Sequence, residues 1–299
     1  MDHLTEHAVT ILRRDGRASY IEIARRLNSD RTIIASRLAP LFQDGSLRVT
    51  AAVHPRFLGL NVLAHVSVRV MSSVDTVANE LIDMSEPVFI SETTGRFQLV
   101  LELHLAGLQE LHDMIQRIRG VPRVTDVEVA LYEHMIASFF LGEEPEGLAR
   151  SIDPVDLAII RELQEDGRLA YAELGRRVNV STSTARSRVQ SLLESGVMQI
   201  GAVHGRDAAG SDLVFGLGVV VRGSTDAVVD LLLTETGLEL LARAVGRYSV
   251  IATVAFSRVA DLQRLLLELR EIDEVQFVDQ WLHVRILREQ YHHDAVQAG

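Results

Sequence analysis

Residues 153–200 read DPVDLAIIRELQEDGRLAYAELGRRVNVSTSTARSRVQSLLESGVMQI, and this stretch decides the fold. The acid–proline pair at 153–154 is typical of a helix start, and Gly167 is typical of a helix end. A short second helix follows, and then Ser181 caps a third helix. The apolar residues 197–200 indicate a β-strand, the start of a wing. The segment therefore predicts a winged helix-turn-helix unit.

The third helix of this unit presents hydroxyl and guanidinium groups on its outward face. Such groups form hydrogen bonds with phosphates and base edges, and a helix N-terminus adds backbone N–H donors. Alternatives stay open: Ser181 could be only an N-cap, Arg188 could brace the fold in an ion pair, and the unit could dock a protein. The predicted DNA contacts are Ser181, Thr182, Ser183, Thr184, Arg186, Ser187 and Arg188, with Arg176 and Arg177 near the DNA backbone.

The chain repeats itself. Asp-Gly-Arg at 15–17 recurs at 166–168, which is a shift of 166 − 15 = 151 residues. At that shift, residues 15–49 and 166–200 share 12 identical positions, and the register persists downstream. A repeat of this length predicts a tandem pair of domains, because solenoid repeats have much shorter periods.

The first copy departs from the second at its third helix, which is predicted from about Asp30 to Phe42. Pro40 lies inside this helix and predicts a kink or an early end. Isoleucines at 33 and 34 also stand where the second copy has Thr184 and Ala185. We expect this copy to bind DNA differently or to be mainly structural. Its candidate DNA contacts are Arg31, Thr32, Ser36 and Arg37.

The rest of each repeat alternates between β-strands and helices in the order βαββαβ, the ferredoxin-like arrangement. Such a sheet carries helices on one face only. We expect the bare face to be rich in Val, Leu and Phe and to need a partner sheet. In the first copy the predicted strands are 60–71, 88–94, 97–105 and 124–132, and the predicted helices are 74–84 and 108–119.

The predicted fold class is therefore α+β, with two winged helix-turn-helix domains that alternate with two ferredoxin-like domains. An acidic stretch with Pro and Gly is the expected interdomain linker. The predicted bounds are 1–53 and 54–140 for the first pair, 141–150 for the linker, 151–203 and 204–291 for the second pair, and 292–299 for a tail.

Composition limits the possible functions. The net charge of −11 argues against a strongly basic nucleic-acid-binding domain. Residues 1–53 carry eight arginines and six acids (8 − 6 = +2), and residues 151–203 carry six and seven (6 − 7 = −1), so DNA binding would depend on local arginine placement. The absence of cysteine excludes disulfides and thiolate metal sites. No apolar run approaches the ~20 residues of a membrane span, so a cytoplasmic protein is expected.

This pattern resembles the Lrp/AsnC family of feast/famine transcription regulators. The resemblance rests on Ile152–Asp156, Leu163–Arg168, Glu173–Leu174, Ser181 and Arg188–Val189, and on the turns at 95–97 and 246–248. It implies double-stranded DNA as partner, homo-oligomers, and a small effector, an amino acid or related metabolite, near those turns. In this chain the two ferredoxin-like domains are expected to pair with each other, and pairing between chains is the alternative. The candidate effector residues are Gly95, Arg96, Phe97, Gln98, Gly246, Arg247, Tyr248 and Ser249.

One departure from the family concerns the residue after the aromatic of that turn. Family members usually have Asp there, whereas this chain has Gln98 and Ser249. The identity of the effector therefore stays open.

Two other functions compete with DNA-binding regulation. Tandem relatives of the same plan are siroheme decarboxylases, which resemble this chain but carry a His/Arg-rich segment near the first strands of the α/β domain. The corresponding segments, 60–69 and 213–222, are not enriched in this way. A metabolite-binding protein with vestigial DNA-binding domains is the other alternative. No enzymatic activity, metal or cofactor is predicted, since the histidines lack readable ligand spacing.

Overall fold

The structure, a computed structural model, describes residues 3–71, 73–138, 152–204 and 213–290. The predicted linker 141–150 and tail 292–299 lie outside these residues. The first half contains α1 (His3–Arg14), α2 (Tyr20–Arg26), α3 (Arg31–Gln43), β1 (Leu47–Val53), β2 (Val62–Val70), α4 (Val74–Ile82), β3 (Pro87–Thr93), β4 (Leu99–Leu105), α5 (Leu108–Gly120) and β5 (Val124–Ser138). A short 3₁₀ turn, Pro55–Leu58, follows β1.

The second half has the same order of helices and strands. It contains α6 (Pro154–Glu165), α7 (Tyr171–Arg177), α8 (Thr182–Glu194), β6 (Met198–His204), β7 (Leu213–Val221), α9 (Asp226–Leu233), β8 (Leu238–Val245), β9 (Val250–Phe256), α10 (Val259–Arg270) and β10 (Val275–Glu289). The mixed α/β character expected from the sequence is confirmed.

The chain divides into two compact units, and each draws on both halves. One, the helical unit, contains α1–α3 with β1 and α6–α8 with β6. The other, the closed-sheet unit, contains β2–β5, β7–β10 and helices α4, α5, α9 and α10. The repeated segments are therefore grouped by type rather than by their order in the chain.

The helical unit has a single hydrophobic core to which both halves contribute, with fully buried residues such as Leu12, Ile34, Ile160 and Leu192. Helix α1 packs on β6 and α6 packs on β1, so each copy covers the strand of the other. The closeness is visible at Gly201, where a Cβ would lie 2.5 Å from a backbone oxygen of α1. This exchange joins the two three-helix groups into one body.

Within the residues that the structure describes, the strands of the expected wings do not form hairpins. Strands β1 and β6 pair with each other, antiparallel, from Leu47 opposite His204 to Val53 opposite Met198. They make a two-stranded sheet of their own within the described residues. A lone apolar strand needs a partner for its backbone groups, and each strand finds it in the other copy. The prediction that residues 197–200 start a wing was therefore wrong, because the strand β6 pairs with β1 of the other copy.

The closed-sheet unit is one sheet of eight antiparallel strands in the order β10-β3-β4-β2-β5-β8-β9-β7, with β7 again beside β10. Each half contributes a four-stranded βαββαβ sheet. The halves join at two seams, β10 on β3 and β5 on β8. This intrachain pairing is the arrangement expected from the sequence. It leaves no free edge strand in the described sheet, which removes a site for unwanted strand addition.

The outer face of the closed sheet carries the helices over two separate apolar cores. The inner face of the first half differs in part from expectation, because polar side chains lie there beside buried apolar ones such as Leu63, Phe89 and Val100. Strand alternation turns Ala64, Val66 and Val68 toward the helices and His65 and Ser67 inward. Buried inward-facing polar residues of this half are His65, Ser67, Ser91, Glu102 and His104.

No helix in the described part of the chain combines the length and apolar character needed to cross a lipid bilayer. Within the same residues, no group of three or more His, Asp or Glu side chains is placed to hold a metal ion.

Candidate nucleic-acid interface

Helix α8 is held by a turn that only certain residues allow. Asn179, between α7 and α8, has a φ of +58°, a left-handed conformation that Asn tolerates better than most residues. Its counterpart Asn28 has a φ of +49°, which explains why Asn recurs in the repeat. A Cβ on Gly175 would lie 2.7 Å from the carbonyl oxygen of Val180, so α7 and the turn approach closely. The turn therefore fixes where α8 begins.

The outward face of α8 is as the sequence predicts. Ala185, Val189 and Leu192 are buried beneath it. The hydroxyl and guanidinium side chains on the other side are exposed: Thr182, Ser183, Thr184, Arg186 and Ser187. The helix therefore presents a polar row of the kind that enters a DNA groove.

Ser181 acts as the N-cap of α8. Its hydroxyl accepts a hydrogen bond from the backbone N–H of Thr184 at 3.0 Å. The same oxygen lies 2.8 Å from the hydroxyl oxygens of Ser183 and Thr184. This neutral cap leaves the positive end of the helix dipole without a protein carboxylate, an arrangement that suits a phosphate.

Arg188 is the one α8 residue whose predicted role needs correction. Its guanidinium donates to Asp153 and, at 3.1 Å, to Asp156, which is 1% exposed. Asp153 also caps α6 by accepting from the N–H of Val155 and Asp156, both at 2.9 Å. The Arg188 hydrogen bond holds the pKa of Asp153 below its usual value. We therefore assign Arg188 to bracing α6 against α8 and remove it from the DNA contacts.

Arg176 and Arg177 lie near the same face, but their charges are largely balanced. Arg176 donates to Glu173 at 2.6 and 2.9 Å, and Arg177 donates to Glu173 at 2.8 Å and Glu162 at 2.9 Å. The hydrogen bond from Arg176, which has the larger effect, and that from Arg177 lower the pKa of Glu173 to about 2. Since Glu173 is ionised throughout the neutral range, the pair of arginines carries little net charge toward a phosphate.

Arg186 is different. It is exposed, and it forms no ion pair with the residues that the structure describes. Its guanidinium lies 5.9 Å from the ring centroid of Tyr171, and the guanidinium of Arg17 lies 4.4 Å from the same ring. A guanidinium over an aromatic face keeps its donors available while its position is restricted. Among the candidates on α8, Arg186 is the cation best placed to contact DNA.

The first copy places its candidates similarly on α3. Arg31, Thr32, Ser36 and Arg37 are exposed, as is Ile33, while Ile34 and Leu38 are buried. Helix α3 continues to Gln43, so Pro40 does not end it early. The backbone N–H of Asp44 still bonds to the carbonyl of Pro40 at 3.0 Å, which holds the last turn. Of the two outcomes expected of Pro40, a kink or an early end, the early end is therefore wrong.

The repeated Asp-Gly-Arg motif has a role that sequence reasoning missed. Arg17 donates to the carbonyls of Gly167 and Leu169, both at 2.9 Å, and Arg168 donates to that of Ala18 at 3.1 Å. Each copy therefore binds the other through the same residue. Gly16 and its counterpart Gly167 also bond to β6 and β1, respectively. The motif joins the two copies within the helical unit, and its identical recurrence in the sequence could have indicated this role.

The candidate effector turns are held by their own side chains. Gln98 accepts from the N–H of Val70 at 3.0 Å, and the Ser249 hydroxyl accepts from the N–H of Val221 at 3.1 Å. These two residues, which stand where the family has Asp, close their loops against neighbouring strands. Both side chains bond to the backbone of neighbouring strands and turns.

The arginines of the two turns converge. Arg96 lies 2.8 Å from Glu128, and Arg247 lies 3.3 Å from the same carboxylate. Arg247 also lies 3.6 Å from Asp279, which accepts a hydrogen bond from the Tyr248 hydroxyl at 2.8 Å. The turns of both halves therefore meet at one charged cluster inside the closed-sheet unit.

A second group of polar residues, absent from the sequence prediction, lies inside the closed sheet. The ring of Trp281 faces that of His65 at 5.5 Å, and its N–H donates to His283 at 3.2 Å. His283 in turn lies 2.9 Å from Ser91, and His65 lies 3.2 Å from Ser67. Burial lowers the pKa of His65 to about 4, so its imidazole is neutral at physiological pH. Alternation along β2 was a signal that could have placed His65 and Ser67 here.

Comparison with known proteins adds to this geometry. Residues 152–193, which cover α6–α8, match the AsnC-type helix-turn-helix domain. An HTH-type transcriptional regulator of Pyrococcus horikoshii is 33% identical over 128 residues, which are 42% of this chain and 81% of that protein. The HTH-type transcriptional regulator FL11 of Pyrococcus furiosus is 30% identical over 126 residues, 40% of this chain and 83% of that protein.

Among solved structures, the siroheme decarboxylase NirDL aligns with 96% of this chain and 93% of its own, with a TM-score of 0.61 and 17% identity. At this identity the likeness shows a shared fold and nothing about activity. The matched helix-turn-helix and the regulators that resemble the chain over most of their length establish its relationship. The chain belongs to the Lrp/AsnC family of helix-turn-helix transcription regulators.

Proposed function

We propose that this chain is a transcription regulator that binds double-stranded DNA sequence-specifically through two helix-turn-helix units. The observation that carries this proposal is Arg186, an exposed cation on the outward face of α8, within the matched AsnC-type domain. Its partner groups on the same face are hydroxyls, and the helix N-terminus has a neutral cap. Together they form a surface that can contact both phosphates and base edges.

The acidic net charge of −11 restricts how this binding works. Long-range attraction to DNA is weak for an acidic protein, so affinity depends on a few local contacts. Because Arg176, Arg177 and Arg188 are paired with carboxylates, few counterions would be released on binding. We therefore expect a shallower salt dependence than for a basic helix-turn-helix protein of the same size.

Replacement of Arg186 by alanine is expected to lower the affinity for a specific duplex about 10- to 100-fold. The loss corresponds to one guanidinium contact, about 1–3 kcal/mol. A footprint over the gene's own upstream region, followed by a gel shift with the protected duplex, measures it. The affinity of both proteins for unrelated DNA gives the nonspecific reference.

Arg119→Ala is the matched control, since it removes an exposed arginine from α5 of the other unit. This variant should bind as tightly as the unchanged protein. If Arg186→Ala and Arg119→Ala bind the specific duplex with equal affinity, Arg186 on α8 does not contribute to DNA recognition.

We also propose that a small metabolite, of which an amino acid is one example, binds at the turns 95–98 and 246–249 and modulates DNA binding. The support is the cluster where Arg96 and Arg247 meet Glu128. Cations beside carboxylates complement a ligand that carries both charges.

A panel of amino acids and related acids in a thermal-shift assay should contain a compound that raises the melting temperature. Mass action requires this of any ligand that binds only the folded state. The shift should vanish in Arg247→Ala and persist in Arg119→Ala. If the hit stabilises all three proteins equally, its site lies elsewhere.

Tetrapyrrole decarboxylation is the competing function, because an enzyme shares this fold. The residues argue against it. Segments 60–69 and 213–222 contain one histidine, His65, which is 3% exposed and bonded to Ser67. A titration with an iron porphyrin separates the two functions, since a regulator of the proposed kind leaves the absorption spectrum of the porphyrin unchanged.

A further inference from the structure

We propose that one chain reads a non-palindromic DNA site made of two unlike half-sites. Helix α8 reads one half-site through Arg186 and its hydroxyls. Helix α3 reads the other through an apolar contact between Ile33 and a thymine methyl group. This inference rests on the proposed DNA-binding function and adds the chemistry of the second half-site.

The two proposed reading helices, α3 and α8, belong to the same compact helical unit. They share one core, the β1–β6 pair, and the reciprocal contacts of Arg17 and Arg168. In a homodimer, two such helices are identical, so symmetry imposes a palindromic site. Here the same sequence repeat supplies both helices, but mutation has been free to change each one. The site read by a single chain therefore need not be symmetric.

The outward residues of the two helices differ at the positions that matter most. By the 151-residue shift, Arg186 corresponds to Ala35, so α3 has no arginine at that position. Thr184 corresponds to Ile33, which is 45% exposed in the first turn of α3. A large apolar side chain exposed on a reading helix has no hydrogen-bonding use. Its natural partner in the major groove is the methyl group of thymine.

The helix caps differ as well. Asp30 caps α3 and accepts from the N–H of Thr32 at 2.6 Å. That bond is the main reason why the pKa of Asp30 lies below its ordinary value, so the cap is ionised at neutral pH. Its negative charge stands where a phosphate would approach the helix N-terminus, whereas Ser181 on α8 is neutral. This cap is less favourable to a phosphate than that of α8, although the exposed Arg31 beside it offsets part of its charge. We therefore assign the base readout of this half-site to the apolar contact.

The experiment begins with selection of a duplex from a random library by the full-length chain. We expect a consensus without a two-fold axis and a complex of one chain per duplex by native mass spectrometry. Each thymine is then replaced in turn by deoxyuridine, which removes only the methyl group. One replacement, in the half-site away from Arg186, should weaken binding about fourfold, the value of one buried methyl-sized group.

Two variants identify the reader of that methyl group. In Ile33→Ala, the deoxyuridine and thymine duplexes should bind equally, while Leu267→Ala, an exposed aliphatic change on α10, should keep the fourfold difference. Asp30→Ser, which copies the cap of α8 and keeps the helix N-cap, should bind the full site more tightly, about three- to tenfold.

The outcomes separate this inference from the proposed function. Selection of a palindromic consensus, or an Ile33→Ala variant that still senses the methyl group, would overturn the unlike half-sites and leave DNA binding intact. Failure of the unchanged chain to select any duplex would overturn both. Ile33→Ala could also weaken binding to both duplexes by the same factor relative to the unchanged chain, so that the fourfold difference between them persists. That result would show that Ile33 has a structural role, and it would contradict the inference.

Discussion

Gly216→Ala is expected to destabilise the closed-sheet unit by about 3 kcal/mol, the upper end of the usual cost of overpacking a core. A Cβ at this position would lie 2.0 Å from two ring atoms of Trp281. The ring cannot simply swing aside, since Trp281 is 9% exposed and lies between the rings of His65 and Tyr248. Overpacking of this kind forces strained side chains and backbone shifts. For a unit of this size, the melting temperature should fall by roughly 10 °C.

The chain offers its own reporter and control for this experiment. Trp281 is the only tryptophan, so intrinsic fluorescence follows its surroundings directly. We expect a red-shifted emission in Gly216→Ala before heating. Gly120→Ala, at the end of α5 with nothing within 4 Å of its Cβ, should leave both spectrum and stability unchanged. A normal melting temperature and spectrum in Gly216→Ala would show that the ring is not held in this position.

The parts of the fold set by local signals were predictable. Ser181 and Gly196 bracket α8 because a cap and a left-handed stop act within a few residues of the helix. The βαββαβ order followed from alternating and helical periodicity, which are also local. The exposed row of α8 followed from the same periodicity once Ala185 and Val189 were taken as inward.

What escaped prediction depends on contacts between residues far apart in the chain. Strand β1 pairs with β6 rather than with a neighbouring strand, and nothing near residue 197 specifies that partner. Arg188, Asp153 and Asp156 all lie within residues 153–200, but the arginine is more than 30 positions from either aspartate in sequence. Folding brings the guanidinium of Arg188 to 3.1 Å from the carboxylate of Asp156. The sequence left open whether Arg188 contacts DNA or forms an ion pair, and side-chain type alone could not decide between the two. The structure separates the outward arginines by the carboxylates that each one meets.

The glycines of β7 illustrate a signal that was present but not used. Gly216 and Gly218 occupy inward positions of a strand, where glycine weakens the sheet unless another group needs the space. The structure shows that group, since Cβ atoms there would meet Trp281 and Tyr248. Their counterparts in the first half, His65 and Ser67, fill the same positions with polar side chains. The two inner walls are therefore complementary, small against large, and this divergence makes the halves of the closed sheet unequal.

His65 should make the protein lose stability as the pH falls from about 6.5 to about 4. The pKa of its buried imidazole is about 4 in the folded chain and 6.5 in the unfolded one, because burial disfavours the charged form. Between these values the unfolded chain binds a proton that the folded chain does not, so acid favours unfolding. The shift of roughly 2.5 units corresponds to about 3 kcal/mol, which is fully lost near pH 4. Above pH 6.5 this residue should have no effect on the pH dependence.

Denaturant unfolding at intervals from pH 7.5 to 4.5 measures this loss, with His65→Gln beside the unchanged chain. Glutamine cannot titrate, so its free energy of unfolding should fall much less over this range. The exposed His112→Gln on α5 is the control and should follow the unchanged chain. Carboxyl groups with lowered pKa values, Asp30, Glu86, Asp153 and Glu173, also begin to remove stability toward the acidic end of this range. Both proteins share these groups, so their contribution cancels in the comparison. Parallel pH curves for the unchanged chain and His65→Gln would mean that water reaches the imidazole, and the closed sheet would then not be closed at this position.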